Sequence, residues 1–190
     1  LRADPETELA ELREAGVEAA AAVGPWPLAA GEQIVVAGRM GPTVPQRVAA
    51  GELTPQSRGS AAVVEALDPQ PDEHVLDLCA GPGIKSGQIA ARMGARGEVI
   101  SVELDAERAA EVAAQAARLG IRNVTVVEAD AAEAAMGPGF DRVLVDPPCS
   151  DLGTPASRPD ARWRKSPRAI ERLAELQERI LLRGLEALRP

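Results

Sequence analysis

The strongest constraint on this chain is an alternation of apolar runs with helical segments between residues 74 and 145. His74 to Cys79, Glu98 to Glu103, Val124 to Glu128 and Asp141 to Val145 are short, β-branched-rich runs. Continuous apolar runs of that length read as strands buried on both faces. Between them, Lys85 to Met93 and Ala106 to Leu119 have helical spacing, the second stopped by Gly120. A long helix extends from Pro167 to Leu188, with Ile170, Leu173, Leu176, Ile180 and Leu181 expected on its inward side. Strands alternating with helices dictate an α/β fold, a parallel sheet with right-handed crossovers and helices on both faces.

Upstream the pattern is looser. Glu6 to Ala22 reads as a helix broken by Gly24-Pro25-Trp26-Pro27, Gln33 to Ala37 as a short strand, and Gly38 to Gly51 as a turn-rich connection. A boundary near Leu53 separates a small N-terminal α/β segment, 1–53, from a main domain, 54–190. The main domain opens with a helix from about Gln56 to Leu67, with Ala61, Val64 and Leu67 inward. At 190 residues the chain suits one domain with such an appendage.

Sheets of this kind place ligands at the carboxyl ends of their strands, and four segments there carry chemistry. The first is Leu76-Asp77-Leu78-Cys79-Ala80-Gly81-Pro82-Gly83-Ile84-Lys85-Ser86, a strand running through a glycine-rich turn into a helix. Such a turn brings backbone N–H groups close to a ligand at a helix N-terminus. The next glycine, Gly87, comes one residue late for the dinucleotide fingerprint, and the phosphate-loop spacing is absent. The loop instead suits S-adenosylmethionine, whose amino-acid end takes backbone hydrogen bonds. A tight turn without ligand is the plainer reading of the loop alone.

Glu103 ends the next strand, where a carboxylate can accept from both ribose hydroxyls, and Arg108 sits one turn on to orient it. Asp130 comes after the third strand, placed either for an adenine amino group or as a helix cap. Asp77 reads as an orienter of backbone rather than a catalyst. The fourth segment is Asp146-Pro147-Pro148-Cys149. The prolines stop the strand and fix the angle at which the chain leaves it, setting an acid beside a cysteine able to act as nucleophile or proton carrier. The alternative for Cys149 is a small buried apolar residue.

Charge sharpens the picture. The chain carries −8 overall, which alone argues against a nucleic-acid partner, yet residues 150–168 carry a net +3 and leave −11 for the rest. Within that basic segment Trp163 lies among Arg158, Arg162, Arg164 and Lys165. An aromatic ring among cations suits stacking on a base beside phosphates, or else anchors the loop on the core. The two cysteines, Cys79 and Cys149, show no disulfide or zinc spacing. A reducing, cytoplasmic setting is expected, with no metal and no membrane span.

Taken in order, Leu76–Ser86, Glu103 to Arg108, Asp130, Asp146–Cys149 and Arg158-Pro159-Asp160-Ala161-Arg162-Trp163-Arg164 resemble the Sun/Fmu/Nop-type RNA cytosine-C5 methyltransferases, in their bacterial branch acting on ribosomal RNA. Gly51-Glu52-Leu53-Thr54-Pro55-Gln56-Ser57 matches the family's lead-in. The resemblance implies a Rossmann-like S-adenosylmethionine-dependent methyltransferase fold. It implies that the cofactor is held by the backbone of Cys79, Ala80, Gly81, Pro82, Gly83, Ile84 and Lys85 and by Glu103, Arg108, Asp130 and Asp146. The substrate it implies is structured RNA.

It also implies that Cys149 is one of two catalytic cysteines, with Asp146 beside it. The other, in a Thr-Cys pair on the strand after the long helix, adds to C6 of cytosine; C5 then takes the methyl group, and Cys149 assists release. The sequence as given stops about where that strand should begin, leaving an unpartnered sheet edge beside residues 141–145. Ile84 departs from the family, which usually has glycine there. Two other readings stand beside this one: a fragment or pseudoenzyme that binds cofactor and RNA without chemistry, and a dinucleotide oxidoreductase, disfavoured by the glycine spacing.

Overall fold

The computed structural model describes residues 4–25, 33–94, 96–152 and 166–190. Its main body is a four-stranded parallel sheet in the order β5-β4-β3-β6, formed by β3 (His74–Leu78), β4 (Glu98–Glu103), β5 (Val124–Glu128) and β6 (Arg142–Val145). Helices α3 (Arg58–Leu67), α4 (Ile84–Met93), α5 (Ala106–Arg118) and α6 (Pro167–Ala187) complete the expected α/β alternation. The strand bounds fall within a residue of those read from the apolar runs, because buried parallel strands leave little choice of period.

The core lies on both faces of the sheet. Val64, Val75, Ile89, Met93 and Val99 pack on one side. Leu76, Leu78, Val102 and Ile180 pack on the other. Alternate residues of β3 thus feed two layers, which is why the strand reads as a continuous apolar run.

The N-terminal unit corrects the sequence reading twice. The helix expected over residues 6–22 ends early: α1 is Pro5–Glu14, and Ala19–Ala21 form β1, antiparallel to β2 (Ile34–Val36) with Ala19 opposite Val36. Gly16 takes a φ of +77° and turns the chain. Leu12, Val17, Ala19 and Val44 then share a small core. Burial and strand pairing there override the helix preference of alanine. The supposed turn-rich connection contains α2 (Thr43–Ala49), whose Val44 is buried in that same core. Gly51 rests on the end of α5, where a Cβ would lie 2.0 Å from the Arg118 carbonyl oxygen. The Arg118 guanidinium donates to the carbonyls of Val48 and Leu53.

In α6 the inward face differs from expectation. Leu173 and Leu176 are partly buried, and Ile180, Gly184 and Ala187 are buried, whereas Ile170 and Leu181 are exposed. A Cβ on Gly184 would sit 2.9 Å from Val145 Cγ2. The helix approaches the sheet so closely that its contact positions must be small, and the bulkier Leu181 turns outward. Past α6, Leu188 pairs in parallel with Phe140, and the Arg189 amide donates to the Phe140 carbonyl at 2.9 Å. The outer side of β6 therefore carries a first rung of pairing at its amino end.

Candidate active site

At the carboxyl end of β3 the chain leaves the sheet through Cys79, which adopts a φ of +75°, uncommon for a residue with a side chain. The amides of Cys79 and Ala80 both donate to the Val102 carbonyl, at 3.0 and 2.9 Å, and Gly83 N donates to Ala80 O at 2.7 Å. Gly83, with φ +89°, admits the chain into α4; a Cβ on it would stand 2.9 Å from Val112 Cα. Gly81 faces the Glu103 carboxylate, which accepts from its amide at 2.9 Å. A Cβ on Gly81 would lie 2.5 Å from Glu103 Oε2. Both glycines of the loop are thus required by close approach.

Glu103, at the end of β4, is buried and also accepts from the Asp105 amide at 3.2 Å. Arg108 stands over the same corner but donates to the Gly81 carbonyl, at 2.9 Å, among the described residues. It braces the loop rather than orienting the acid as expected. Asp130 accepts from Ala132 N at 2.9 Å and so acts as a local cap. That bond leaves lone pairs on the carboxylate for a ligand.

Asp146, beyond β6, pairs with Lys85 of α4 at 2.6 Å, which ties the exit of β6 to the helix that follows the neighbouring strand β3. Beneath them Asp77 is fully buried and accepts from the Ser86 hydroxyl at 2.6 Å. Burial raises its pKa to about 6, against the lowering effects of that hydrogen bond and of Lys85. The Cys79 thiol is pushed up to about 12, first by burial and then by Glu103, Asp77, Asp146 and Asp130. Four carboxylates surrounding one loop make an electronegative corner, suited to a ligand carrying positive charge.

Cys149 lies in the open, contrary to the buried alternative. Its sulfur donates to Asp151 Oδ1 at 3.6 Å and accepts from Asp151 N at 3.4 Å. Gln177 of α6 donates to the Pro148 carbonyl at 2.8 Å and so ties the proline pair to the helix. Gln177 escaped the sequence reading because a lone glutamine in a charged helix carries no pattern. Leu104 escaped it too: directly after Glu103, it is 66% exposed and presents an apolar surface beside the acid. Arg158, Arg162, Trp163, Arg164 and Lys165 lie outside the described residues. No helix among the described residues is long and apolar enough to cross a membrane, and none of their side chains group as metal ligands.

A sequence profile of the family described as 16S rRNA methyltransferase RsmB/F matches residues 64–190, which include every segment of this corner. The chain belongs to that family. Within it, the chain is 41% identical over 134 residues to a probable ribosomal RNA small subunit methyltransferase B from Bacillus subtilis, covering 69% of this chain and 30% of that protein. It is 35% identical over 140 residues to a 28S rRNA (cytosine-C(5))-methyltransferase from Mus musculus, covering 73% of this chain and 18% of that protein. The chain therefore spans less than a third of the length of these RsmB/F-type relatives. Among solved structures, PH0851 superimposes over the whole chain with a TM-score of 0.87 at 29% identity, covering 42% of that protein. The Rossmann-like methyltransferase architecture of the family, which uses S-adenosylmethionine, is the one observed here.

Proposed function

We propose that this chain binds S-adenosylmethionine and serves in methylation of C5 of a cytosine in ribosomal RNA. The observation that carries the reading is the convergence of Glu103, Asp130, Asp146 and the 79–85 loop on one corner of the sheet, with the exposed Cys149 three residues from Asp146. The residues fit the cofactor on steric and electrostatic grounds. The glycine cradle at Gly81 and Gly83 has no room for a Cβ, and the acids complement a sulfonium and an ammonium group.

When bound, S-adenosylmethionine supplies an electrophilic methyl group. The 79–85 backbone would hold its amino-acid end, Glu103 its ribose hydroxyls and Asp130 its adenine amino group. Leu104 would offer an apolar face to the ring. The cleft at the loop itself measures only about 30 Å³. A nucleoside would therefore lie across the carboxyl ends of β4 and β5, with Ile84 as one wall of the cleft.

Lys85 holds the Asp146 carboxylate, and Gln177 holds the Pro148 carbonyl, so the acid and the thiol reach the target base from a fixed segment. To reach that base the enzyme must extrude it from its stack. The resemblance gives the attack on C6 to a cysteine on the strand after α6, and Leu188 forms a single parallel bridge with Phe140, just before β6, on that side of the sheet. Cys149 would then act in release of the methylated base.

Calorimetric titration with S-adenosylhomocysteine tests the first half: micromolar binding, about −8 kcal/mol, lost in Asp130→Ala, is expected. A folded chain that binds none would overturn it. For the second half, Cys149→Ser in the whole protein should stall on RNA, and unimpaired turnover would remove its role.

A further inference from the structure

Two cavities meet at one side chain. The cofactor cleft is bordered by Asp77, Cys79, Gly81, Ile84, Lys85 and Asp146. Behind it, between the N-terminal unit and helices α3 and α4, lies a groove of about 740 Å³, bordered along α4 by Ile84, Gly87, Gln88 and Ala91. Those four positions share one face of the helix, while Lys85 turns to the cleft side and pairs with Asp146. Ile84 is the only described residue that borders both spaces.

The backbone around Ile84 has little room to yield. A Cβ on Gly83 would stand 2.9 Å from Val112 Cα, and one on Gly87 3.2 Å from Leu119 Cδ1. The first turn of α4 thus rests on α5 at both positions. Ile84, between them, opens the helix, where the Cα–Cβ bond tilts back toward the 79–83 loop. Its branched Cβ leaves χ1 little freedom. A side chain of fixed shape on a fixed backbone therefore separates the cleft from the groove. With alanine at this position the carbons beyond Cβ would be gone, and the cleft would open backward into a much larger space.

We infer that Ile84 sets the size limit of the methyl-donor site: its side chain is the wall between cleft and groove, and it excludes donors enlarged at the amino-acid end. The inference rests on the reading of the 79–85 loop as the seat of S-adenosylmethionine and adds a specificity to that seat. Polar contacts decide whether a donor binds, and one apolar side chain decides how much bulk its amino-acid end can carry.

The test uses two derivatives of S-adenosylhomocysteine, the primary carboxamide and the N-propyl carboxamide, which are alike in charge and differ in bulk. Both are titrated by calorimetry into the chain, into Ile84→Ala and into Ile84→Val, beside S-adenosylhomocysteine itself. The quantity read is the ratio of the two amide affinities, which cancels any change in binding of their shared part. Apolar pockets discriminate by about tenfold to two-hundredfold per methylene, so the chain should prefer the primary amide by about thirtyfold or more. Ile84→Ala should bring that ratio below about threefold, and Ile84→Val, which loses a single methyl group, should fall between. A chain that binds S-adenosylhomocysteine but takes both amides alike, or neither, overturns the inference, as does a ratio unchanged in both variants. Loss of both amides in the two folded variants overturns it as well, because a wall that only excludes is not needed to bind the smaller ligand. Failure of the folded chain to bind S-adenosylhomocysteine removes the donor site and the size limit with it; binding with an indifferent ratio removes the size limit alone.

Discussion

Two strands, β3 and β6, run side by side and end at the same edge, yet they hand their cysteines to opposite environments. After β3, Cys79 is drawn back into the sheet by hydrogen bonds from its own amide and that of Ala80 to the Val102 carbonyl, and is ringed by four carboxylates. After β6, two prolines stop the strand and Cys149 stands in solvent, its sulfur bonded to Asp151. Reactivity in a thiol belongs to its thiolate form. The Cys79 thiol, with its pKa pushed up to about 12, keeps its proton at neutral pH. The same residue type serves as loop scaffold in one place and as a chemically available group in the other.

The largest test of that contrast is alkylation at pH 8. With the Cys79 thiol pushed up to about 12 by burial, its thiolate fraction at pH 8 falls about a thousandfold below that of an ordinary thiol. Cys79 should therefore label more than a hundredfold more slowly than Cys149, and equal rates by mass spectrometry would dissolve the distinction. Next comes the loop itself. Gly83→Ala places a side chain at φ +89° and a Cβ 2.9 Å from Val112 Cα. Strain and overpacking together should cost about 3 kcal/mol in a urea titration. A loss under 1 kcal/mol would show that the β3 exit is looser than its hydrogen bonds indicate.

Asp77, beneath both exits, titrates near 6 in the folded chain and near 4 when unfolded. Between those values the native state holds the extra proton, so stability falls as pH rises from about 4 to about 6 and stays lower above. The penalty at pH 7 is on the order of 3 kcal/mol. Asp77→Asn, which can still accept from Ser86, should recover up to that amount at pH 7 and flatten this part of the profile. A variant with an unchanged pH profile would show that the carboxyl is not desolvated. The smallest effect belongs to Gln177→Ala, which frees the Pro148 carbonyl. Global stability should drop by less than about 1 kcal/mol, while amide exchange after β6 speeds up and exchange after β3 does not change.

The sheet was legible because β3 and β4 are buried on both faces and β5 and β6 keep the same short apolar runs. The loop's glycines were legible because spacing alone separated them from the phosphate-binding fingerprints. Where the sequence misled, tertiary contact decided. Ala19–Ala21 are helix-formers recruited as a strand once Gly16 had turned the chain. In α6, the approach at Gly184 set the helix rotation and put Leu181 outside. Arg108 was placed at the right corner with the wrong partner. Its bond to the Gly81 carbonyl depends on loop geometry that no spacing encodes. Gln177 and Leu104 carry no periodic signal at all and emerged only once the strand ends were assembled.

The seat of Gly51 on the end of α5 has a mechanical consequence. That helix has one end in each region: Arg118 grips the Val48 and Leu53 carbonyls at the far end, and Arg108 braces the Gly81 carbonyl at the near end. Thirteen helical residues make a strut of about 20 Å between them. The described part of the N-terminal unit cannot swing away from the sheet by pivoting at Gly51, because the pivot itself is clamped. Any hinge must lie elsewhere, and a pull on the N-terminal unit is delivered, through one stiff rod, to the turn that would cradle the methyl donor.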